Sequence, residues 1–322
     1  MCLINKHKEM ITKLNPTAHQ VLFIVILVLC LTPFITPPLA LFLGLVVAQT
    51  IGHPFIHLNH KAIQWLLKIS VVGLGFGMNL HHALQAGKEG LIFTLFSIVL
   101  TLFGGLLIGR WFKVDQKTAF LISCGTAICG GSAIAAISPI IKSNEKQISV
   151  ALGIIFILNS IALFIFPMIG HWFSMSQHQF GLWSAIAIHD TSSVVGASAK
   201  YGNIALQTAT TVKLERALWI IPVSFISALV FKNKENKVQI PYFIFVFVMA
   251  MLVGTYLPNY QNIYSVIVMG AKSGLSVTLF LIGAGLNYTI IKSVGKRPLI
   301  QGILLWLLIS IVAFSSITYF NL

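Results

Sequence analysis

The chain has 322 residues, of which 57% are hydrophobic and 9% charged, and its mean hydropathy is +0.91. A soluble domain so poor in charge would not stay in solution, so composition alone places the chain among polytopic helical membrane proteins. The formal net charge of +14 does not indicate nucleic-acid binding, because most Lys and Arg fall between hydrophobic runs, where they set topology.

In chain order, residues 1–19 are polar and basic, and the apolar run behind them lacks a small-residue cleavage site. They read as a retained cytoplasmic segment ahead of one membrane unit, 20–322. Apolar runs then predict about eleven spans, with ten as the alternative: 20–35, 38–52, 62–80, 90–109, 118–141, 148–170, 179–199, 208–231, 240–257, 264–287 and 299–320. With the N-terminus inside, thirteen Lys and Arg fall on the inner side. Only Lys88, Lys142, Lys146 and Lys200 fall outside. Merging the first two spans would lose that bias, so the expectation is N-terminus in and C-terminus out. Cys2, Cys30, Cys124 and Cys129 include no CxxC pair, and no disulfide framework, metal site or cofactor is expected.

An internal repeat lies in the loop-flanking segments. Leu74 to Ile92 aligns without a gap on Ile282 to Ile300, with seven of nineteen positions identical, among them Gly75 with Gly283, Gly77 with Gly285 and Asn79 with Asn287. The copies end the third and tenth spans, an odd separation that predicts an inverted repeat.

The fifth span is the most unusual. Phe120 to Ile141 is apolar and long, yet it carries Gly125, Thr126, Gly130, Gly131, Ser132 and Pro139. Small residues also allow close helix packing, but this density predicts a helix broken inside the membrane, whose freed backbone must face protein or a wet cavity. The seventh span places His189 and Asp190 before Thr191, Ser192 and Ser193. Asp followed by Thr and Ser is N-cap chemistry for a restarting helix, and an ionisable group at that depth is a functional candidate. In the eighth, Lys213 and Arg216 share a helical face while Glu215 points elsewhere. Snorkelling to headgroups is the competing reading of these basic residues. Counting Lys68, Lys213, Arg216 and Lys272 against Asp190 and Glu215, the interior has surplus positive charge and favours an anion over a metal ion. The histidines show no HExxH and no acidic partner set.

The blocks GTAICGGSAIAAISPIIK, IHDTSSVVGASAKYG, VKLERALWIIPVS and GLGFGMNL closely resemble the YeiH-type family of bacterial inner-membrane proteins, labelled sulfate exporters, over about Leu39 to Leu308. That family is distantly similar to the cation/proton antiporter and anion transporter superfamily. The resemblance implies an all-α fold with an inverted repeat and two discontinuous helices crossing near the midplane, in Gly125 to Pro139 and His189 to Ala197. Asp190 would then stand where antiporters keep a carboxylate. The two broken spans are only two apart, which fits such a repeat only if one half is permuted or a segment is re-entrant.

Together these features predict an ion-coupled secondary transporter of a small anion such as sulfate, a sulfonate or a carboxylate. Gly130, Gly131 and Ser132 would present N–H groups, Thr126, Thr191, Ser192 and Ser193 hydroxyls, and Lys213 and Arg216 countercharge. His189 and Asp190 would couple transport to a proton or sodium ion. The alternatives are a sodium/proton antiporter relying on Asp190 and an intramembrane enzyme. Expected partners are the lipid bilayer, the anion, the coupling ion and a second copy of the chain in a homodimer.

Overall fold

The computed structural model describes residues 16–32, 34–231, 242–286 and 295–320, which are helical with no strand among them. The helices are α1 Pro16–Leu29, α2 Pro37–Thr50, α3 Ile56–Gly75, α4 Leu80–Trp111, α5 Gln116–Ala127, α6 Gly131–Ile137, α7 Glu145–Trp172, α8 Gln177–Ala187, α9 Thr191–Tyr201, α10 Asn203–Leu218, α11 Ile220–Val230, α12 Phe243–Tyr256, α13 Gln261–Gly285 and α14 Lys296–Tyr319. Four stretches are long and apolar enough to cross a membrane, Phe93–Trp111, Lys146–Trp172, Pro258–Gly285 and Lys296–Tyr319, with shorter apolar helices at His19–Leu29, Pro37–Thr50 and Phe243–Tyr256.

Local chemistry explains the boundaries. Two prolines open α2, where their missing N–H groups cost nothing. Asp115 caps α5, and Asn144 and Ser176 form capping boxes at α7 and α8. α10 and α11 part at Trp219, three residues before Pro222, whose ring disfavours a helical turn behind it. α4 starts at Leu80, ten residues before the apolar run that marks its span.

Each broken segment folds back on itself. Lys117 at the start of α5 donates to the carbonyl of Lys142 beyond α6 at 2.7 Å, and Asp115 accepts from Gln147 of α7 at 2.7 Å. Both limbs of α5–α6 thus begin and end at one face. In α8–α9, Phe180 stacks on Tyr201 with ring centroids 3.8 Å apart, and Ser184 Oγ lies 3.0 Å from Ser198 Oγ. A continuous crossing would hold Phe180 and Tyr201 about 30 Å apart. Residues 118–141 and 179–199 are therefore re-entrant hairpins, which corrects the expectation of two discontinuous crossing helices. The physical reason is that the breaks at Ile128–Gly130 and Ile188–Asp190 reverse the chain. Because α7 runs between them, the hairpins enter from opposite faces. Gln301 of α14 ties the first to α4, donating to Gly105 O at 2.9 Å and Ala119 O at 3.2 Å. Trp183 of the second donates to Ser310 O at 2.9 Å.

The helices sort into two groups. α2, α3, α12 and α13 pack on one another, while α4, α7, α10 and α14 surround the hairpins. In the first group glycines sit at the crossing points, Gly75 and Gly283 of the aligned segments among them. A Cβ on Gly44 of α2 would collide with the Phe280 carbonyl of α13, and one on Gly283 with the Leu41 carbonyl of α2. Likewise a Cβ on Gly75 of α3 would meet the Phe247 carbonyl of α12, and one on Gly254 the Phe76 carbonyl. The α2–α13 and α3–α12 contacts are thus built alike. Asn287, the second copy of Asn79, lies outside the described residues. Outward faces expose Phe96, Phe103, Phe245 and Met249, as lipid contact requires. Exposed aromatics ring both ends: Trp111 and Tyr242 at one, Trp172, Tyr256 and Tyr319 at the other.

Two predictions follow from these contacts. Gly44→Val should cost about 1–3 kcal/mol or more, because the clash is with backbone that cannot yield, read as a fall in the midpoint of thermal unfolding in detergent. At Asp115, partial burial works to raise the carboxyl, but hydrogen bonds from Thr118 and Gln147 outweigh it and hold it below the usual carboxylate range. Its stabilisation is therefore complete above the unfolded carboxylate value and lost as pH falls through the lower folded one. Asp115→Asn should flatten the acid limb of the stability profile.

Candidate functional site: two hairpin tips held by one helix

The hairpins meet at their tips. Gly130 has φ +67°, a conformation that favours glycine, and a Cβ there would lie 3.1 Å from Asp190 Cβ and 3.3 Å from Asp190 Cα. Glycine is thus required both by the turn and by the touching tip.

Each tip ends one helix and begins another, leaving orphan carbonyls and amides away from water. Asp190 satisfies the start of α9. Its Oδ1 accepts from Ser193 N at 2.6 Å and its Oδ2 from Ser193 Oγ at 2.9 Å. Lys213 of α10 satisfies the end of α8, donating to Ala185 O at 3.1 Å and Ile188 O at 2.7 Å. Trp306 Nε1 takes Ala187 O at 3.1 Å. One turn along α10, Arg216 donates to Ala127 O at the end of α5 and to Ser97 Oγ of α4. Cations at helix C-termini and a carboxylate at an N-terminus are each in their favourable place. Lys213 and Arg216 are 0% exposed, so neither snorkels.

Several polar atoms at the tips retain unused capacity. His189 is fully buried, its backbone N donates to Asn159 Oδ1 at 3.0 Å, and neither ring nitrogen has a partner. Thr126 Oγ1, one turn before the first tip, and Arg216 Nε are likewise buried and unpartnered. Glu215, beside Arg216, has both carboxylate oxygens buried without a donor.

The structure therefore gathers Thr126, Gly130, His189, Asp190, Lys213 and Arg216 around one point. Thr191, Ser192 and Ser193 are buried in the first turn of α9, with the Ser193 hydroxyl already given to Asp190. Gly131 is half-buried and Ser132 is exposed on the outer side of α6. Sequence reasoning missed Asn159 and Ser97, which position His189 and Arg216. A lone Asn in the apolar run of α7 was the available signal for the first, and a serine in α4 is too common to have marked the second.

This arrangement defines a multi-pass helical membrane protein built around paired re-entrant hairpins. The chain belongs to the family described as conserved hypothetical protein 698, matched over residues 21–302. It is 57% identical over 280 residues to a UPF0324 membrane protein of Bacteroides thetaiotaomicron, covering 86% of this chain and 85% of the relative. A Photobacterium profundum UPF0324 membrane protein is 49% identical over 301 residues, covering 93% and 92%, and one from Porphyromonas gingivalis is 50% identical over 284 residues, covering 87% and 86%. No solved structure matches the chain.

Lys213→Met removes two charge-assisted bonds and leaves the α8 carbonyls unpaired. It should cost about 1.5–3 kcal/mol and speed hydrogen exchange at Ile188 to Ser193 relative to the rest of the chain.

Proposed function

We propose that the protein is a secondary transporter for a small anion, working by alternating access around the hairpin tips. The observation that carries this reading is the meeting of two oppositely inserted hairpins at a buried cluster of Lys213, Arg216 and Asp190. Half-helices that point their ends at a midplane site are a transporter device. At the tips, two helix C-termini of about −0.5 charge and two N-termini of about +0.5 cancel. Lys213, Arg216 and Asp190 then leave one net positive charge. Protonating Asp190 raises that sum by one, so an anion and a proton compensate each other there. Thr126, His189 and Arg216 Nε supply unspent polar atoms to receive the anion, and Gly130, Gly131, Thr191 and Ser192 belong to the same tips and first turns. Sulfate, a sulfonate or a small carboxylate is the substrate class, and Asp190 with His189 is the coupling pair.

Two further points support the reading. The hairpins move Lys142 and Lys146 to the face of Arg110 and Lys113, turning a sequence count of thirteen against four into fifteen against two. That bias favours N-terminus in and C-terminus out in a bacterial inner membrane, with nine crossings and an inverted α2–α4/α12–α14 repeat. Against an intramembrane enzyme, the Ser193 hydroxyl is used with Asp190 in the cap of α9 and the His189 ring has no partner, so at the tips no serine is paired with the histidine.

Asp190→Asn separates structure from coupling. Asn caps a helix nearly as well as Asp, whereas Ala costs about 1 kcal/mol. Asp190→Asn should therefore keep its unfolding midpoint yet lose anion uptake into proteoliposomes driven by a proton or sodium gradient. Sulfate, sulfite, a small sulfonate or a carboxylate should raise the midpoint of the native protein in a dose-dependent way. Protection by sodium with none by any anion would replace this reading with a cation antiporter.

A further inference from the structure

The returning limb of the second hairpin has another polar neighbour, away from the tips. A cavity of ≈ 270 Å³ lies between α9, the start of α10, the middle of α13 and the α1–α2 connection. Lys200 and Lys272 both line it, with hydroxyls from Thr32, Thr36, Ser273 and Ser276. The remaining wall is apolar, formed by Ile35, Pro37, Val195, Leu206, Met269 and Leu275. Gly196 brings α9 within reach, since a Cβ there would lie 3.2 Å from Pro37 Cβ and 3.0 Å from Leu279 Cδ1.

Lys272 is the decisive residue. It is the twelfth residue of α13, about 16 Å along the helix, and so lies near the middle of a stretch apolar enough to cross a membrane. A lysine at that depth costs a few kcal/mol unless it faces water or a partner, and such residues mark ligand pathways. Among the described residues, no Asp or Glu lines the cavity, and none of them answers its two positive charges. The volume lies just below the roughly 300–1,000 Å³ of drug-sized sites, and the apolar wall would strip water from a bare inorganic ion without replacing its hydrogen bonds.

We infer that this cavity binds a small amphiphilic anion, an acidic head held by Lys200 and Lys272 on a short apolar body packed against Val195, Leu206 and Met269. A sulfonate, a carboxylate or the phosphate of a lipid provides that head. The ligand bridges the second hairpin to α13, and its binding does not depend on transport at the tips.

The test uses the full chain in neutral detergent, titrated with butane-1-sulfonate and followed by thermal shift, with butan-1-ol as the uncharged control. The sulfonate should raise the unfolding midpoint to saturation and the alcohol should not. Lys272→Gln and, separately, Lys200→Gln should weaken the apparent Kd at least about tenfold, or ~1.4 kcal/mol. Lys272→Arg should restore it. Lys200 and Lys272 are both exposed, and Lys200, at a helix end, keeps the test informative if Lys272→Gln does not fold. Protection by phosphatidylglycerol alone, lost in the lysine variants, assigns the head to a lipid and upholds the cavity. An equal response in native protein and Lys200→Gln, or an equal response to butan-1-ol, overturns it.

Discussion

Two cations one turn apart on α10 hold the interior of this protein together. A hairpin that stops halfway through a membrane has helix ends where no water can reach, and lipid offers them nothing. Lys213 takes the carbonyls that end α8 and Arg216 takes one that ends α5, while Asp190 takes the amide that begins α9. A charge buried without a partner would be costly, and so would a carbonyl left bare. Here each cancels the cost of the other. Because the two cations are about 4.5 Å apart along one axis, the same helix also fixes the relative depth of both tips.

Much of this was legible in the sequence, and the missing part has a definite cause. The glycines and hydroxyls of Phe120 to Ile141 gave away a broken helix, and Asp190 before Thr191, Ser192 and Ser193 gave away a restarting one. Whether the chain then went on or turned back was not legible, because apolar count along a chain carries no direction. Lys142 and Lys146 were the available clue, as two of only four residues that broke the charge bias. The shared face of Lys213 and Arg216 followed from their spacing, but their acceptors are carbonyls, which every residue has and no sequence marks. The matching contacts of Gly44 and Gly283 between α2 and α13, and of Gly75 and Gly254 between α3 and α12, gave a geometric counterpart to the aligned segments, of which residues 287–294 lie outside the described residues.

The two helix groups differ in how they are joined. Within α2, α3, α12 and α13, backbones touch at glycines and leave no room for adjustment. Between the groups the contact is thinner and apolar, with Leu74, Ala271 and Leu275 on one side and Val195 and Leu206 on the other. A surface of that kind resists separation but tolerates sliding, since its core is apolar and the hydrogen bond beside it, from Gln207 Nε2 to Gly77 O, is long at 3.4 Å. Rigidity is thus concentrated in the glycine-packed group and freedom in the seam beside α9.

The depth of the hairpins has an electrical consequence. α5 has 12 residues and α8 has 11, so each tip stands about 17 Å from its own surface. Limbs of such similar length leave a similar thickness of protein on each side of the tips, near the middle of a bilayer if the helices cross it. A charge carried from either bath to Asp190 crosses roughly half of the membrane voltage, about 1 kcal/mol per elementary charge at 100 mV. If the tips take up an ion as proposed, their occupancy is tied to cellular energisation as well as to concentration.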